Sequence, residues 1–314
     1  MSKALQNNIL SKESKVIYGY LTACVDLDGK SLSKNTGHKG RHYNYAFAEL
    51  NAVANTTTNL SKQLKLLECI NCRASLTLDE TSLRCTHCQT QFPVVNGAPI
   101  MLCPDDMSFL TTTKFGAAAL FSRPLLYRIK VNILLKLNKT DDISVEHLLR
   151  GKSVLDVGCG PFTYGYNTKL PSNITGIDLS PHFVQSMSEH DPNNFYMVAS
   201  AGKIPYADNS FDVSLLRFIL HHIPDNTEAI LREVSRVTRT QILIIDHVRS
   251  EFFLQRKIQT AYWSVFDGGY QYYSVHEWDR LLAPYTVTTF RRTGKMFGNI
   301  CQIILHSTEN SPHL

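Results

Sequence analysis

Between residues 153 and 162 the chain reads SVLDVGCGPF, an apolar run around one acid that breaks into Gly158 and Gly160. Such a run, ending in a glycine pair, reads as a buried strand passing into a sharp turn. Glycine permits the turn and lets a ligand lie where a Cβ would clash. The next apolar run, NITGIDLS, ends on Asp178, 22 residues after Asp156. Strand, glycine turn, helix and a following acid make the front of a nucleotide-binding unit, the acid accepting hydrogen bonds from ribose hydroxyls. Two phosphate sites are disfavoured. Pro161, Phe162 and Thr163 stand where a dinucleotide turn needs its third glycine, and no Gly-Lys-Ser/Thr loop follows. Asp156 would repel a pyrophosphate and suits a cationic or hydroxyl-rich ligand.

From Lys152 onward, short apolar runs alternate with amphipathic stretches, the pattern of a parallel sheet covered by helices. Strands are expected at 153–157, 173–178, 195–199, 211–216, 241–246, 285–292 and 299–306. The fold class is therefore α/β: a Rossmann-like, seven-stranded, mostly parallel sheet with helices on both faces, preceded by a small N-terminal module around Cys69, Cys72, Cys85 and Cys88, whose paired Cys-x-x-Cys spacing reads as a zinc ribbon. Four regions are expected. They are a polar extension over 1–60, the ribbon over 61–105, a basic helical linker or cap over 106–150, and the α/β domain over 151–308 with an aromatic insert at 251–283. An apolar stretch, 16–25, reads as a strand in the extension, and Asp26-Leu27-Asp28-Gly29 reads as a plain turn rather than a calcium loop.

The α/β region resembles class I S-adenosylmethionine-dependent methyltransferases. VLDVGCG matches their first motif and GIDLS the acidic second-strand motif. KIPYADNSFDVSLLRFILHHIPD, ILREVSRVT and QILIIDH follow in the order of the small-molecule, quinone-type members. The resemblance implies S-adenosylmethionine as cofactor, held by Asp156, Gly158, Cys159, Gly160, Asp178, Leu179, Ser200, Ala201 and Arg217. Two departures concern the cofactor's adenine side and the helix packing: Phe162 replaces a glycine, and Ser200 stands where an acid is common.

Cys69-Ile70-Asn71-Cys72 and Cys85-Thr86-His87-Cys88 are separated by twelve residues. Each Cys-x-x-Cys bends the chain so that both sulfurs face one point, and two such knuckles make a closed thiolate tetrahedron suited to structural zinc. The ligands are thus Cys69, Cys72, Cys85 and Cys88, with His87 and Cys103 outside the set. The surrounding residues resemble a zinc ribbon of the Trm112-like type, which accompanies methyltransferases as partner or fused domain.

Methyl transfer asks the protein mainly to align an acceptor, exclude water and, where needed, take a proton. The candidates at the carboxyl ends of the strands are His221 and His222 after the fourth and Asp246 and His247 after the fifth, with His221 and His247 the two expected to take a proton. The insert is dense in aromatics. Tyr262, Trp263, Tyr270, Tyr272 and Tyr273 are expected to close over the acceptor, offering flat apolar surface with polar tips.

The 314 residues are 43% hydrophobic and 19% charged, ordinary values for a globular chain. The net charge of +5 permits an anionic partner without demanding one. No signal peptide or apolar run of ~18 residues is seen, so a cytoplasmic setting with reduced cysteines is expected. The leading functional reading is methyl transfer to a small apolar or aromatic metabolite. A second is an RNA methyltransferase gripping RNA with the ribbon and the acid-free segment 107–140, which also reads as a surface for an anionic membrane. A third is a non-catalytic, cofactor-binding regulator. Modest charge and the lack of an Asn/Asp-Pro-Pro-Tyr/Phe motif weigh against RNA.

Overall fold

The computed structural model describes residues 56–79, 81–103, 106, 145–160, 173–223, 226–266, 269–293 and 300–306. The expected strand at 16–25, the turn at 26–29, the basic segment 107–140 and Phe162 lie outside the described residues.

The chain opens with α1 (Thr56–Gln63) and a short 3-10 turn, Leu64–Leu66. Four strands follow: β1 (Leu76–Leu78), β2 (Ser82–Cys85), β3 (Gln91–Val95) and β4 (Ala98–Met101). Asn96 and Gly97 join β3 to β4 with φ of 51° and 75°, the paired left-handed conformation of a tight hairpin. Then come α2 (Glu146–Leu149), β5 (Val154–Val157), β6 (Ile174–Asp178), α3 (Pro181–His190), β7 (Phe195–Ala199) and β8 (Phe211–Arg217). A 3-10 turn at Leu220–His222 leads to α4 (Thr227–Val237), β9 (Thr238–His247), α5 (Phe253–Phe266), α6 (Val275–Leu282), β10 (Thr286–Thr293) and β11 (Ile300–His306).

Strands β5 to β11 fall in the order β7-β6-β5-β8-β9-β11-β10. β11 is antiparallel to both its neighbours, and the pairs among β5 to β9 are parallel. These seven strands match the expected runs. The sheet as a whole nevertheless has eleven strands, not seven. The reason is β4, which pairs parallel with β7 through Ile100↔Val198 and Met101↔Ala199, so that the cysteine hairpins continue the same sheet beyond its expected edge.

Alternation along the strands divides the core between the two sheet faces. Ile242 and Ile244 of β9 pack with Ile230, Leu231, Val234 and Val237 of α4 and with Trp278 and Leu282 of α6. Leu243 and Ile245 pack on the other face with Val145 and Leu149 at α2. On that second side Val184 and Met187 of α3 meet Val198 and Tyr196 of β7 and Ile100 of β4. Helices therefore cover both faces. The helix starts are locally encoded. Ser180 accepts from Phe183 N ahead of Pro181, and Ser274 and Glu277 form a reciprocal capping box for α6.

The cysteine region is also pinned to the α/β region by charge. The Arg73 guanidinium donates to Glu233 of α4 at 3.0 Å and to the carbonyls of Ile204 and Tyr206. Arg236 donates to Glu233 and Asp208. Glu233 is partly buried, and burial pushes its carboxyl up. The hydrogen bonds and charges of Arg236 and Arg73 outweigh that and hold it below the usual range.

Candidate active site and cysteine centre

The glycine turn follows β5. Gly158 and Gly160 both adopt positive φ, 67° and 58°. A Cβ on Gly158 would clash with the Ile219 side chain, whereas one on Gly160 would meet nothing within 4 Å among the described residues. The first glycine thus lets the loop after β8 come close. Gly158 N and Cys159 N both donate to the carbonyl of Ile177, which ties the turn to β6.

Asp178 ends β6 beside this turn. Its two carboxylate oxygens accept from Gly160 N at 2.9 Å and Ser180 N at 2.8 Å. Burial pushes the Asp178 carboxyl up to about 6, against the pull of the two backbone N–H groups. Each oxygen retains a lone pair, so the acid can still receive a hydroxyl. Asp156 is buried beneath the turn, and Leu179 and Cys159 pack with α3 and β7. Ser200 is buried after β7, its hydroxyl accepting from Gly202 N, and Ala201 is buried beside it. Arg217 is half-buried at the end of β8. The cofactor set expected from the sequence therefore lies at the carboxyl ends of four neighbouring parallel strands, β7, β6, β5 and β8.

The carboxyl ends of β8 and β9 carry the titratable cluster. His221 Nδ1 lies 2.5 Å from Asp246 Oδ1, with both side chains 2% exposed. Asp246 also accepts from Leu220 N at 3.0 Å and His247 N at 2.7 Å. Burial pushes Asp246 up, yet the His221 charge and hydrogen bond, with His247, outweigh it and hold the carboxyl below its ordinary value. An ionised carboxylate only accepts, so the His221 nitrogen that faces it, Nδ1, carries a proton.

Aromatic rings pack around this cluster, His222 at 4.1 Å from His221 and Phe218 at 5.2 Å from His247. His221 stacks on Tyr272 at 5.4 Å and lies edge-on to His247 at 4.8 Å. Trp263 of α5 stacks on Tyr272 at 4.2 Å and meets His247 at 5.1 Å. Thus His221, His247, Trp263 and Tyr272 are brought together. The other three expected acceptor aromatics stand differently. Tyr273 shares a hydrogen bond with Thr227 Oγ1 at 2.8 Å and packs edge-on against buried Trp278, as part of the α4–α6 core. Tyr270 is 53% exposed, and Tyr262 is half-buried on α5.

Three further residues hold the cluster. Gly269 passes so close that an added Cβ would meet His221 Cδ2 and Tyr272 Oη at 2.6 Å. Gln271 donates to the Leu220 carbonyl, the Ile223 carbonyl and Thr227 Oγ1, fastening the insert to the loop after β8. Gln259 of α5 is fully buried, its Oε1 accepting from Ser250 N at 2.8 Å. Sequence reasoning missed all three. A glycine pair, Gly268-Gly269, set amid aromatics was the local signal that could have marked Gly269, and nothing local marks the glutamines.

The four cysteines converge as their spacing requires. All four Sγ atoms lie within 4.8 Å of one another, with Cys69–Cys88 at 3.5 Å and Cys72–Cys85 at 3.4 Å. A tetrahedron with metal–sulfur bonds of about 2.3 Å has sulfurs about 3.8 Å apart, so the donor set fits such an ion. Cys85 Sγ accepts from the N–H groups of His87 and Cys88. The residue after each knuckle, Arg73 and Gln89, takes positive φ near 60°. His87 and Cys103 are outside the set, and Cys103 Sγ instead donates to Asp106 at 2.8 Å.

Residues 155–245 match the family model described as a methyltransferase domain. A demethylmenaquinone methyltransferase of Listeria monocytogenes is 28% identical over 119 residues, covering 34% of this chain and 50% of that protein. One from Staphylococcus haemolyticus is 31% identical over 106 residues, covering 32% and 44%. The chain spans about half the length of the curated relatives it matches. Among solved structures, a methyltransferase of Thermotoga maritima aligns with a TM-score of 0.47 at 17% identity, covering 60% of this chain and 99% of that one.

Proposed function

We propose that a chain carrying this methyltransferase domain is an S-adenosylmethionine-dependent enzyme that methylates a small apolar or aromatic metabolite. The observation that carries the reading is the juxtaposition of the glycine turn and Asp178 with a buried His–Asp pair roofed by Trp263 and Tyr272. The residues suit the cofactor. Gly160 takes the positive φ of a tight turn and its Cβ position meets none of the described residues, Asp178 has lone pairs for ribose hydroxyls, and Asp156 disfavours a phosphate ligand. Bound there, the cofactor supplies an electrophilic sulfonium methyl together with its own leaving group.

The chain's part is alignment and proton handling. Asp246 orients His221, whose Nε2 would accept the proton of an acidic acceptor group. His247 and the flat faces of Trp263 and Tyr272 would hold an apolar ring and keep water away. The relatives named demethylmenaquinone methyltransferases support the apolar class. The cysteine tetrad is proposed to hold one structural zinc, since four sulfurs leave no open coordination position.

The test is transfer of labelled methyl from the cofactor to a lipid-and-aromatic extract by the purified chain. Incorporation that falls at least tenfold in Trp263→Ala, with cofactor affinity unchanged by calorimetry, is expected. No incorporation into any organic-soluble product, or label appearing in RNA instead, would overturn the reading.

A further inference from the structure

The described residues expose seven large hydrophobic side chains, and four of them fall together: Phe252 (79% exposed), Phe253 (61%), Leu254 (71%) and Ile258 (39%). The other three, Leu78, Tyr270 and Val287, are scattered along the chain, as single exposed apolar residues commonly are. The four lie at the start of α5, where the chain reads FFLQRKI. Within them sit two cations. Lys257 Nζ lies 4.6 Å from the centre of the Phe253 ring, and the Arg256 guanidinium 5.8 Å from it. The fourteen residues of α5 contain no acid. The acid just before the helix, Glu251, faces His276 at 3.5 Å.

Exposed phenylalanines and a leucine beside basic side chains are what an interfacial lipid-binding helix presents. The rings enter the acyl boundary while the long basic stems reach up to headgroup phosphates. A protein partner would equally cover the apolar atoms. The interleaved cations with no acid on the helix favour an anionic bilayer, whose surface attracts such groups. We propose that the Phe252–Ile258 end of α5 docks on anionic lipid surfaces. The same helix carries Trp263 in the aromatic cluster ten residues further on, about 15 Å along its axis. Docking would therefore set the acceptor site a short distance above the bilayer. An apolar acceptor could then reach it directly from lipid, a consequence that rests on the methyl-transfer reading, although the docking does not.

The experiment is co-sedimentation of the full chain with vesicles of phosphatidylcholine alone or with one-third phosphatidylglycerol. Binding to the anionic vesicles is expected, weakened at least about tenfold in Phe252→Ser/Phe253→Ser/Leu254→Ser. Arg256→Gln/Lys257→Gln should lose about fivefold per residue, a loss that added salt reproduces in the unsubstituted chain. Circular dichroism and cofactor affinity should be unchanged in both variants. Failure of the chain to bind anionic vesicles, undiminished binding by the serine variant, or a concentration-dependent dimer abolished by that variant would each overturn the proposal. Vesicle binding without methyl transfer to any lipid would leave docking intact and count against the functional reading alone.

Discussion

Replacing Asp246 by asparagine keeps the side chain's volume and removes its charge. Asp246 serves three donors with two oxygens: Leu220 N on one, and His221 Nδ1 and His247 N on the other. An asparagine has one acceptor oxygen. Turned toward His221 it abandons Leu220 N, and turned toward Leu220 it abandons the other two. At least one N–H then faces another N–H inside a site that is 2% exposed. A buried donor left unsatisfied costs ~1–3 kcal/mol, and the surviving bonds lose their charge assistance. Destabilisation of about 3 kcal/mol is expected, or ~6–12 °C in melting temperature for a domain of this size. The pH dependence has a definite sign. The Asp246 carboxyl is held below its ordinary value. Its contribution is therefore complete above about pH 4 and is lost as the pH falls through its depressed folded value. Asparagine has no such loss, so the stability gap between the two proteins should narrow on acidification below about pH 4. Urea unfolding followed by tryptophan fluorescence, at pH 7.5 and then from pH 5 downward, reads both quantities. A variant within ~0.5 kcal/mol of the parent at pH 7.5, or a gap that stays constant on acidification, would refute the assignment of Asp246 as the buried anion orienting His221.

Asp178→Ala should weaken S-adenosylmethionine at least about tenfold by calorimetry, through loss of charge-assisted bonds to ribose. Because burial raises the Asp178 carboxyl to about 6, cofactor affinity in the parent chain should also fall as the pH drops through 6. The sign for the unliganded protein is opposite: the raised carboxyl favours folding below its unfolded value near 4, and that stability is lost as the pH rises through about 6. Gly158→Ala should destabilise by about 2–4 kcal/mol in urea titrations, since it combines positive φ with a clash against Ile219. Cys85→Ser should remove zinc measured by metal analysis and lower the melting temperature, whereas His87→Ala should leave the metal content at one ion per chain.

Much of the α/β region was legible because each buried strand is a short apolar run bounded by polar residues. Phe195–Ala199 coincides with the expected run, and all five of its residues are buried. β9 begins at Thr238, three residues before the expected strand. Thr238 ends the motif ILREVSRVT that was matched to the helix, but α4 runs straight into β9, with Thr238 Oγ1 donating to the Val234 carbonyl. The merger of the cysteine hairpins with the main sheet was not legible. It depends on Ile100 meeting Val198, and periodicity reports only local structure. The same limit applied within the aromatic insert. Tyr272 and Tyr273 are adjacent, yet one stacks on Trp263 and His221 while the other joins the Trp278 core. Density of rings identified the region; only the fold divides it between site and core. His221, His222, Asp246 and His247 were all marked by their position after strands, but that Asp246, 25 residues away, is the partner of His221 was not legible.

The pairing of β4 with β7 has a consequence for solubility. Without the hairpins, β7 would be a lateral boundary of the parallel sheet, presenting the apolar sequence FYMVA with a row of unsatisfied backbone N–H and C=O groups. Such an edge is a template for strands of other molecules. The cysteine hairpins act as its blocker, and the ion proposed for the tetrad would be the clasp that keeps the blocker shut. Chelation should therefore first show itself as self-association, visible by light scattering before the parallel sheet loses its far-ultraviolet signal.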